Sequence, residues 1–336
     1  MGHSQARKRV TLAAVARLAG VAESTASRVM NGYTRNFRVR PEVRQRVLDA
    51  ARHLNYKPNP MVRSIAAKRT NLIAIIGNIH DEEIHAGVQA AARVLIGAGK
   101  HVCTSFLDPD DGPFVVPSWR VDGAIAVRPS GHRDLEALEA QEIPCVTIDG
   151  AATLGDSVSV DQADAVRIAF EHLHGRGHET TALVDLGENR PVALARRESY
   201  QRLCDWHGVS PAHFSMSDNP GSAAEILRGI SGSGGIGVIA SAPSLAMRLL
   251  QAASGLGLRT PDDLSIVCLG DTEMTRLATP ALTCVRQPFE AIGAAAARML
   301  LDRLECPTDP TTLPLKVEYF TGELIVRSST SAPVVN

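Results

Sequence analysis

Residues Thr11 to Asn31 read T-L-A-A-V-A-R-L-A-G-V-A-E-S-T-A-S-R-V-M-N, two short helical patterns joined by a turn at Ala19-Gly20-Val21. Leu12, Val15, Ala16 and Leu18 form the apolar face expected of the first helix. The second carries Glu23, Ser24, Thr25 and Ser27 and then the long Arg28. That is a helix-turn-helix layout whose second helix suits a DNA major groove, where bulky apolar groups fit poorly and small hydroxyls with one long donor fit well. On these residues alone an ordinary hairpin of two helices in a core reads equally well.

The charge distribution separates the two readings. Residues 1–70 hold 15 Lys and Arg against Glu23, Glu42 and Asp49, a net of +12. The whole chain has 35 basic and 36 acidic residues, which leaves 20 against 33, or −13, for residues 71–336. A basic head on an acidic body marks a protein that meets the phosphate backbone with one part only. A charge run by itself is usually a solvated face. Here it coincides with the helix-turn-helix, and the two together favour DNA.

A chain of 336 residues has room for two or three domains. No apolar run approaches the roughly 20 residues that span a bilayer, and the basic start M-G-H-S-Q-A-R-K-R-V lacks the apolar stretch of a signal peptide. A cytoplasmic protein with no membrane partner is therefore expected. The six cysteines (Cys103, Cys145, Cys204, Cys268, Cys284, Cys306) form no C-x-x-C pair and read as free thiols, with no metal site and no cofactor.

Beyond the loop N-G-Y-T-R-N-F-R-V-R, a third helix opens at Pro41 and runs to Leu54, with Val43, Val47, Leu48, Ala51 and Leu54 as its stripe. Asn59 and Pro60 can open one more helix of about two turns, too short to be stable alone. From Thr70 buried-strand patterns recur at Leu72–Ile76, His101–Phe106, Gly123–Val127, Cys145–Ile148, Thr181–Val184, Ile236–Ala240 and Ser265–Leu269. Helical stretches at His85–Gly97, Ala163–His174, Arg196–His207, Ser244–Ala253 and Phe289–Leu304 separate most of them. This alternation predicts doubly wound parallel α/β sheets in two lobes. The expected division is a basic arm at 1–10, a helix-turn-helix domain at 11–57, a hinge at 58–69, a body at 70–330 with crossings near 160 and 287, and a tail at 331–336.

These residues carry a resemblance. T-L-x-x-V-A-x-L-A-G-V, S-R-V-x-N and R-x-R-V-L-x-A-A-x-x-L-N-Y-x-P-N resemble the head of the lactose/galactose repressor (LacI/GalR) family. In the body, V-D-G-A-I, I-P-C-V-T-I-D, S-V-S-V-D, E-H-L-x-x-x-G-H, P-D-D-L-S-I-V, P-A-L-T-C-V-R-Q-P and L-I-V-R-S-S-T follow in the family's order. The resemblance implies an all-α helix-turn-helix head on a two-lobed, periplasmic-binding-protein-like body. It also implies a regulator of transcription, in all expectation a repressor, that binds a pseudo-palindromic operator as a homodimer, with a tetramer left open. A small molecule between the lobes would control it.

Carried over by residue, Glu23, Ser24 and Arg28 are candidates for base contact, and Thr25, Ser27 and Asn31 for phosphates. In the hinge, Ile65 stands where the family places an apolar wedge in the minor groove, with Asn59, Arg63 and Lys68 as further DNA contacts. Three departures stand out. Ala22 replaces a capping Ser at the start of the recognition helix. An insert adds Tyr33, Arg35, Phe37 and Arg38, read equally as extra backbone contacts or a plain loop. The stretch after Phe106 leaves too little room for the usual second helix of the first lobe.

For the effector, Arg196 matches the family's clamping Arg, and Arg128 and Asp149 follow strands that point into the cleft. Asp271, with His80 and Asp81 near the cleft mouth, completes the candidates. Ala242-Pro243 and Gly270 stand where the family carries Asn-Asp and Asp. That loss predicts a pocket shifted toward positive charge, and hence an anionic effector such as a sugar acid or sugar phosphate; a degenerate pocket without effector is the alternative. G-S-G-G-I-G at Gly232 precedes a strand and so fails the dinucleotide pattern. H-D-E-E-I-H at His80 has the wrong spacing for a metalloprotease, and His172, His174 and His178 read as structural. With no nucleophile elbow, phosphate loop or acid–base constellation, no enzyme is expected. A solute-binding protein of the same body fold is disfavoured by the basic head.

Overall fold

The computed structural model describes residues 10–31, 39–56, 69–77, 79, 81–106, 120–129, 131–150, 155–187, 190–219, 221–230, 235–306 and 314–333. The hinge residues Asn59, Arg63, Ile65 and Lys68, together with His80, the insert at Tyr33–Arg38 and the stretch between Phe106 and Arg120, lie outside the described residues. The chain divides into two compact units, residues 1–71 and 72–336.

The first unit is helical: α1 (Leu12–Ala19), α2 (Glu23–Asn31) and α3 (Pro41–His53). Thr11 starts α1 by accepting the Ala14 N–H on its hydroxyl at 3.3 Å. Gly20 ends it in the left-handed region at φ 61°, and the Val21 N–H returns to the Ala16 carbonyl at 3.0 Å. That turn folds α2 back on α1. Val15, Ala16 and Ala19 of α1, Ala26 and Val29 of α2, and Val47, Ala50 and Ala51 of α3 make one small core. Leu18 corrects the sequence reading: it is 53% exposed, because the inward face runs through positions 12, 15, 16 and 19.

The second unit holds two six-stranded sheets. The first-lobe strands are β1 (Leu72–Gly77), β2 (His101–Phe106), β3 (Gly123–Val127), β4 (Cys145–Ile148), β5 (Asp156–Val160) and β11 (Val317–Phe320). They lie in the order β11-β5-β4-β3-β1-β2, all parallel. The second lobe has β6 (Thr181–Asp185), β7 (Ala212–Ser215), β8 (Ile236–Ala240), β9 (Leu264–Leu269), β10 (Thr283–Arg286) and β12 (Glu323–Ile325). Their order is β12-β10-β9-β8-β6-β7, with only β12 antiparallel. Such parallel strands are covered on both faces, which is why they read as unbroken apolar runs.

The helices of the body are α4 (Glu82–Gly97), α5 (His132–Glu139), α6 (Gln162–Gly175), α7 (Pro191–His207), α8 (Ser222–Gly229), α9 (Pro243–Gly255), α10 (Glu273–Leu277) and α11 (Phe289–Glu305). Ile84, Val88 and Leu95 of α4 meet Phe289, Ile292, Ala296 and Leu300 of α11 over the first sheet. The two helices cross backbone to backbone: a Cβ on Gly293 would stand 1.9 Å from the Gly87 carbonyl oxygen. The chain passes between lobes at Asp161, at Gln287-Pro288 and again between β11 and β12. The third passage has no apolar run to announce it, because β11 is mostly exposed.

Candidate functional site

Two surfaces carry chemistry. On α2, the buried Ala26 and Val29 fix which side faces the small core. At 100° per residue, Ser24, Ser27 and Arg28 then fall on the opposite side, with Glu23 and Thr25 on its flanks. Glu23 and Ser24 are exposed, and Thr25, Ser27 and Arg28 are half-buried. Ala22 starts the helix with its carbonyl, which accepts the Thr25 and Ala26 N–H groups at 2.9 and 3.1 Å. Its methyl side chain offers the earlier N–H groups of the first turn no acceptor. The polar side of α2 is therefore held outward by packing from a segment with a large positive charge.

The second surface is a cleft of about 480 Å³ between the lobes of the body. Strand ends build it: Arg128 follows β3, Asp149 follows β4, Asp185 ends β6 and Ser241 follows β8. The first turns of α4, α7 and α9 complete it. Arg128 and Asp149 both adopt left-handed backbone conformations, at φ 51° and 52°. Non-glycine residues rarely do so outside constrained sites. Arg128 donates to Asp81, lies 3.5 Å from Asp149 and sits 5.7 Å over the Phe289 ring. Burial lowers its proton affinity, but Asp149 and Asp81 outweigh that and raise it. Asp149 is buried, accepting the Val160 N–H at 3.0 Å on one oxygen.

Arg196 is held from two sides, donating to Gln162 Oε1 and to the Ser241 carbonyl, both at 2.7 Å. Its partners are neutral; burial, together with Arg128 nearby, pushes its pKa down to about 10. Asp185 accepts from Arg197, from His213 at 3.0 Å and from the Gly187 N–H at 2.8 Å. Those bonds hold its carboxyl below the usual range although burial opposes them. The structure thus brings Asp81, Arg128, Asp149 and Arg196 into one cleft. Asp271 is set apart from it. Its buried carboxylate faces Arg286 at 2.8 Å and Arg327 at 2.7 Å, an ion cluster within the second lobe whose Arg286 reaches solvent.

One prediction from the sequence is corrected. The cleft is not positive as a whole, because Asp81, Glu82, Glu83, Asp149 and Asp185 line it against Arg128, Arg190 and Arg196. The carboxylate missing at Gly270 is replaced from the facing lobe. Glu83 accepts the Asp271 N–H at 2.8 Å, and its other oxygen lies 2.7 Å from where a Gly270 Cβ would be. Sequence reasoning missed Glu83 because it sat inside a rejected metal motif. It missed Gln287, buried at the lobe crossing, because nothing local distinguishes that glutamine.

Burial pushes the Glu83 carboxyl up to about 7, against the Asp271 N–H and Arg128, which lower it. A raised value in the folded state stabilises below the unfolded value near 4.5 and is lost as pH rises through about 7. Glu83→Gln keeps the acceptor and removes the titration. Its stability should match the parent near pH 5 and exceed it near pH 8, by on the order of 2 kcal/mol. Urea unfolding of both proteins across that range checks this, and parallel pH profiles would count against it.

Among the described residues no cluster could hold a metal ion, and no helix is long and apolar enough to cross a membrane. His178 bridges the Gly235 and Ser331 carbonyls at 2.8 and 3.0 Å.

Comparison with known proteins bears on both surfaces. Residues 11–59 match the family described as bacterial regulatory proteins, lacI family, and residues 170–330 match a periplasmic binding protein-like domain. The chain is 30% identical to the HTH-type transcriptional regulator PtxS of Pseudomonas plecoglossicida, over 97% of each chain. It is 26% identical to catabolite control protein A of Staphylococcus epidermidis, over 92% of this chain and 98% of that one. Among solved structures it resembles the lac repressor dimer bound to operator and the anti-inducer ONPF, with a TM-score of 0.80 and 25% identity over 97% of this chain and all of that one.

Proposed function

Because the chain belongs to the LacI family of bacterial regulatory proteins, we propose that it represses transcription as a homodimer on a pseudo-palindromic operator, controlled by a small molecule in the cleft. The observation that carries this reading is α2, whose polar side is turned outward by the buried Ala26 and Val29 within a segment of net charge +12. Glu23, Ser24 and Arg28 read base edges, while Thr25, Ser27 and Asn31 hold phosphates. Asn59, Arg63, Ile65 and Lys68 enter the minor groove, where Ile65 unstacks the central step. Asp81, Arg128, Asp149, Arg196 and His80 contact the effector. The protein works in the cytoplasm and is a regulator rather than an enzyme, as are the relatives it resembles.

Coupling between cleft and operator is a free energy shared by the two sites, so effector and operator must each alter the other's affinity by the same factor. The test is a mobility-shift titration on a near-palindrome with a central pyrimidine–purine step, repeated over a range of salt. Counterion release predicts that the logarithm of affinity falls steeply and linearly with the logarithm of salt concentration. Ile65→Ala should erase the preference for the flexible central step. Binding that ignores both salt and central step would overturn the reading.

A further inference from the structure

Two side chains of the first lobe reach across the cleft to the second. Glu83, in the first turn of α4, accepts the Asp271 N–H on one oxygen at 2.8 Å. Its neighbour Glu82 accepts the Glu273 N–H at 3.2 Å and lies 3.7 Å from Arg276. Asp271 and Glu273 stand at the start of α10, where N–H groups have no partner within the helix. The first turn of a helix in one lobe thus meets the first turn of a helix in the other.

The two carboxylates are held differently. Glu82 is exposed and has Arg276 as its counter-ion. Glu83 is half-buried, and the cations nearest it are engaged elsewhere. Arg128 pairs with Asp81 and Asp149, and Arg196 donates to Gln162 and to the Ser241 carbonyl. The second oxygen of Glu83 lies 2.7 Å from where a Gly270 Cβ would stand, so the bare backbone at Gly270 makes the seat for this carboxyl. A carboxylate drawn from water into such a seat loses hydration that one N–H bond repays only in part.

From this seam we infer that Glu83 is a proton-operated latch between the lobes. Protonated, it sits at the start of α10 and holds the cleft closed; ionised, it withdraws and the lobes part. Burial accordingly raises the seated carboxyl to about 7 from an ordinary value of 4.5. The seated form is therefore favoured below about 4.5, and that advantage is lost as pH rises through about 7. The charged and titratable groups that face Glu83 are Arg128 after β3, Asp271 before α10, Arg196 of α7 and Cys268 of β9, besides Asp81 and Glu82 beside it. The arginines stay charged throughout. Burial would raise Asp271, but Arg286 and Arg327 hold it low, and burial pushes the Cys268 thiol well up.

As a control of DNA binding the latch rests on the reading of this cleft as the regulatory site; the latch itself does not. Hydrogen exchange of the full chain, without DNA, follows the two bridging amides directly. Once the ordinary effect of pH on exchange is divided out, protection of Asp271 and Glu273 should fall together by about tenfold between pH 6 and pH 8. Glu83→Gln keeps the acceptor and should hold both amides protected throughout, whereas Glu82→Gln should keep the parent's pH dependence. Protection that ignores pH in the parent would overturn the latch. So would a dependence that survives Glu83→Gln or vanishes with Glu82→Gln, or a fall confined to Asp271, in which the lobes stay together. A mobility shift on the same preparations separates the two readings. Retained operator binding with any of those results sinks the latch alone, whereas a pH-dependent latch in a chain that binds no operator sinks the regulator.

Discussion

Replacing Arg28 by alanine should weaken operator binding by roughly one and a half to four orders of magnitude. A good bidentate contact to a guanine is worth about 1–3 kcal/mol of discrimination, and a two-fold dimer loses two such contacts at once. Arg28 stands on the outward side of α2, opposite Ala26 and Val29, so its removal leaves the small core of the first unit intact. Affinity for unrelated DNA should change far less, because phosphates and not bases supply it. Titration of both proteins against operator and random duplex measures the ratio. An equal loss on the two DNAs would make Arg28 a phosphate contact and remove it from the reading of bases.

Asp156→Ala should destabilise the body by about 3–5 kcal/mol, the usual cost of leaving one member of a buried ion pair without its partner. Asp156 opens β5 and is 4% exposed; it accepts from the Arg303 guanidinium of α11 at 2.6 Å and from the Lys316 N–H at 2.8 Å. Arg303 also donates to the Pro314 carbonyl at 2.7 Å. One carboxylate therefore ties strand, helix and the approach to β11 together. Replacing both charges, Asp156→Leu with Arg303→Met, should cost much less, because no buried charge is left alone. Chemical unfolding of the single and double variants gives the comparison, and a double variant as unstable as the single would contradict it.

How far the sequence could be read follows from what each feature depends on. The helix-turn-helix was legible because a local period and one glycine turn fall within Thr11–Asn31, inside a 70-residue stretch of net charge +12. Central strands such as β1 and β9 announce themselves by burial on both faces. The edge strands β7, β11 and β12 do not, because none of their residues is fully buried. In the cleft, Arg128 and Asp149 were legible from their positions after strands, and Arg196 from its match to the family's clamping arginine. Glu83 was not, because its meaning arises only where the first lobe meets the Asp271 N–H of the second. Asp271 looked like a cleft residue from the same motif logic, but Arg286 and Arg327 claim its carboxylate. Partnerships across a long stretch of chain are set by tertiary packing, and no local pattern records them.

Selection of bound duplexes from a random pool by the full chain should enrich two inverted half-sites around a flexible pyrimidine–purine step, each half-site losing its guanine preference with Arg28→Ala. Recovery of unenriched DNA, or of a single asymmetric site unaffected by Arg28→Ala, would contradict it.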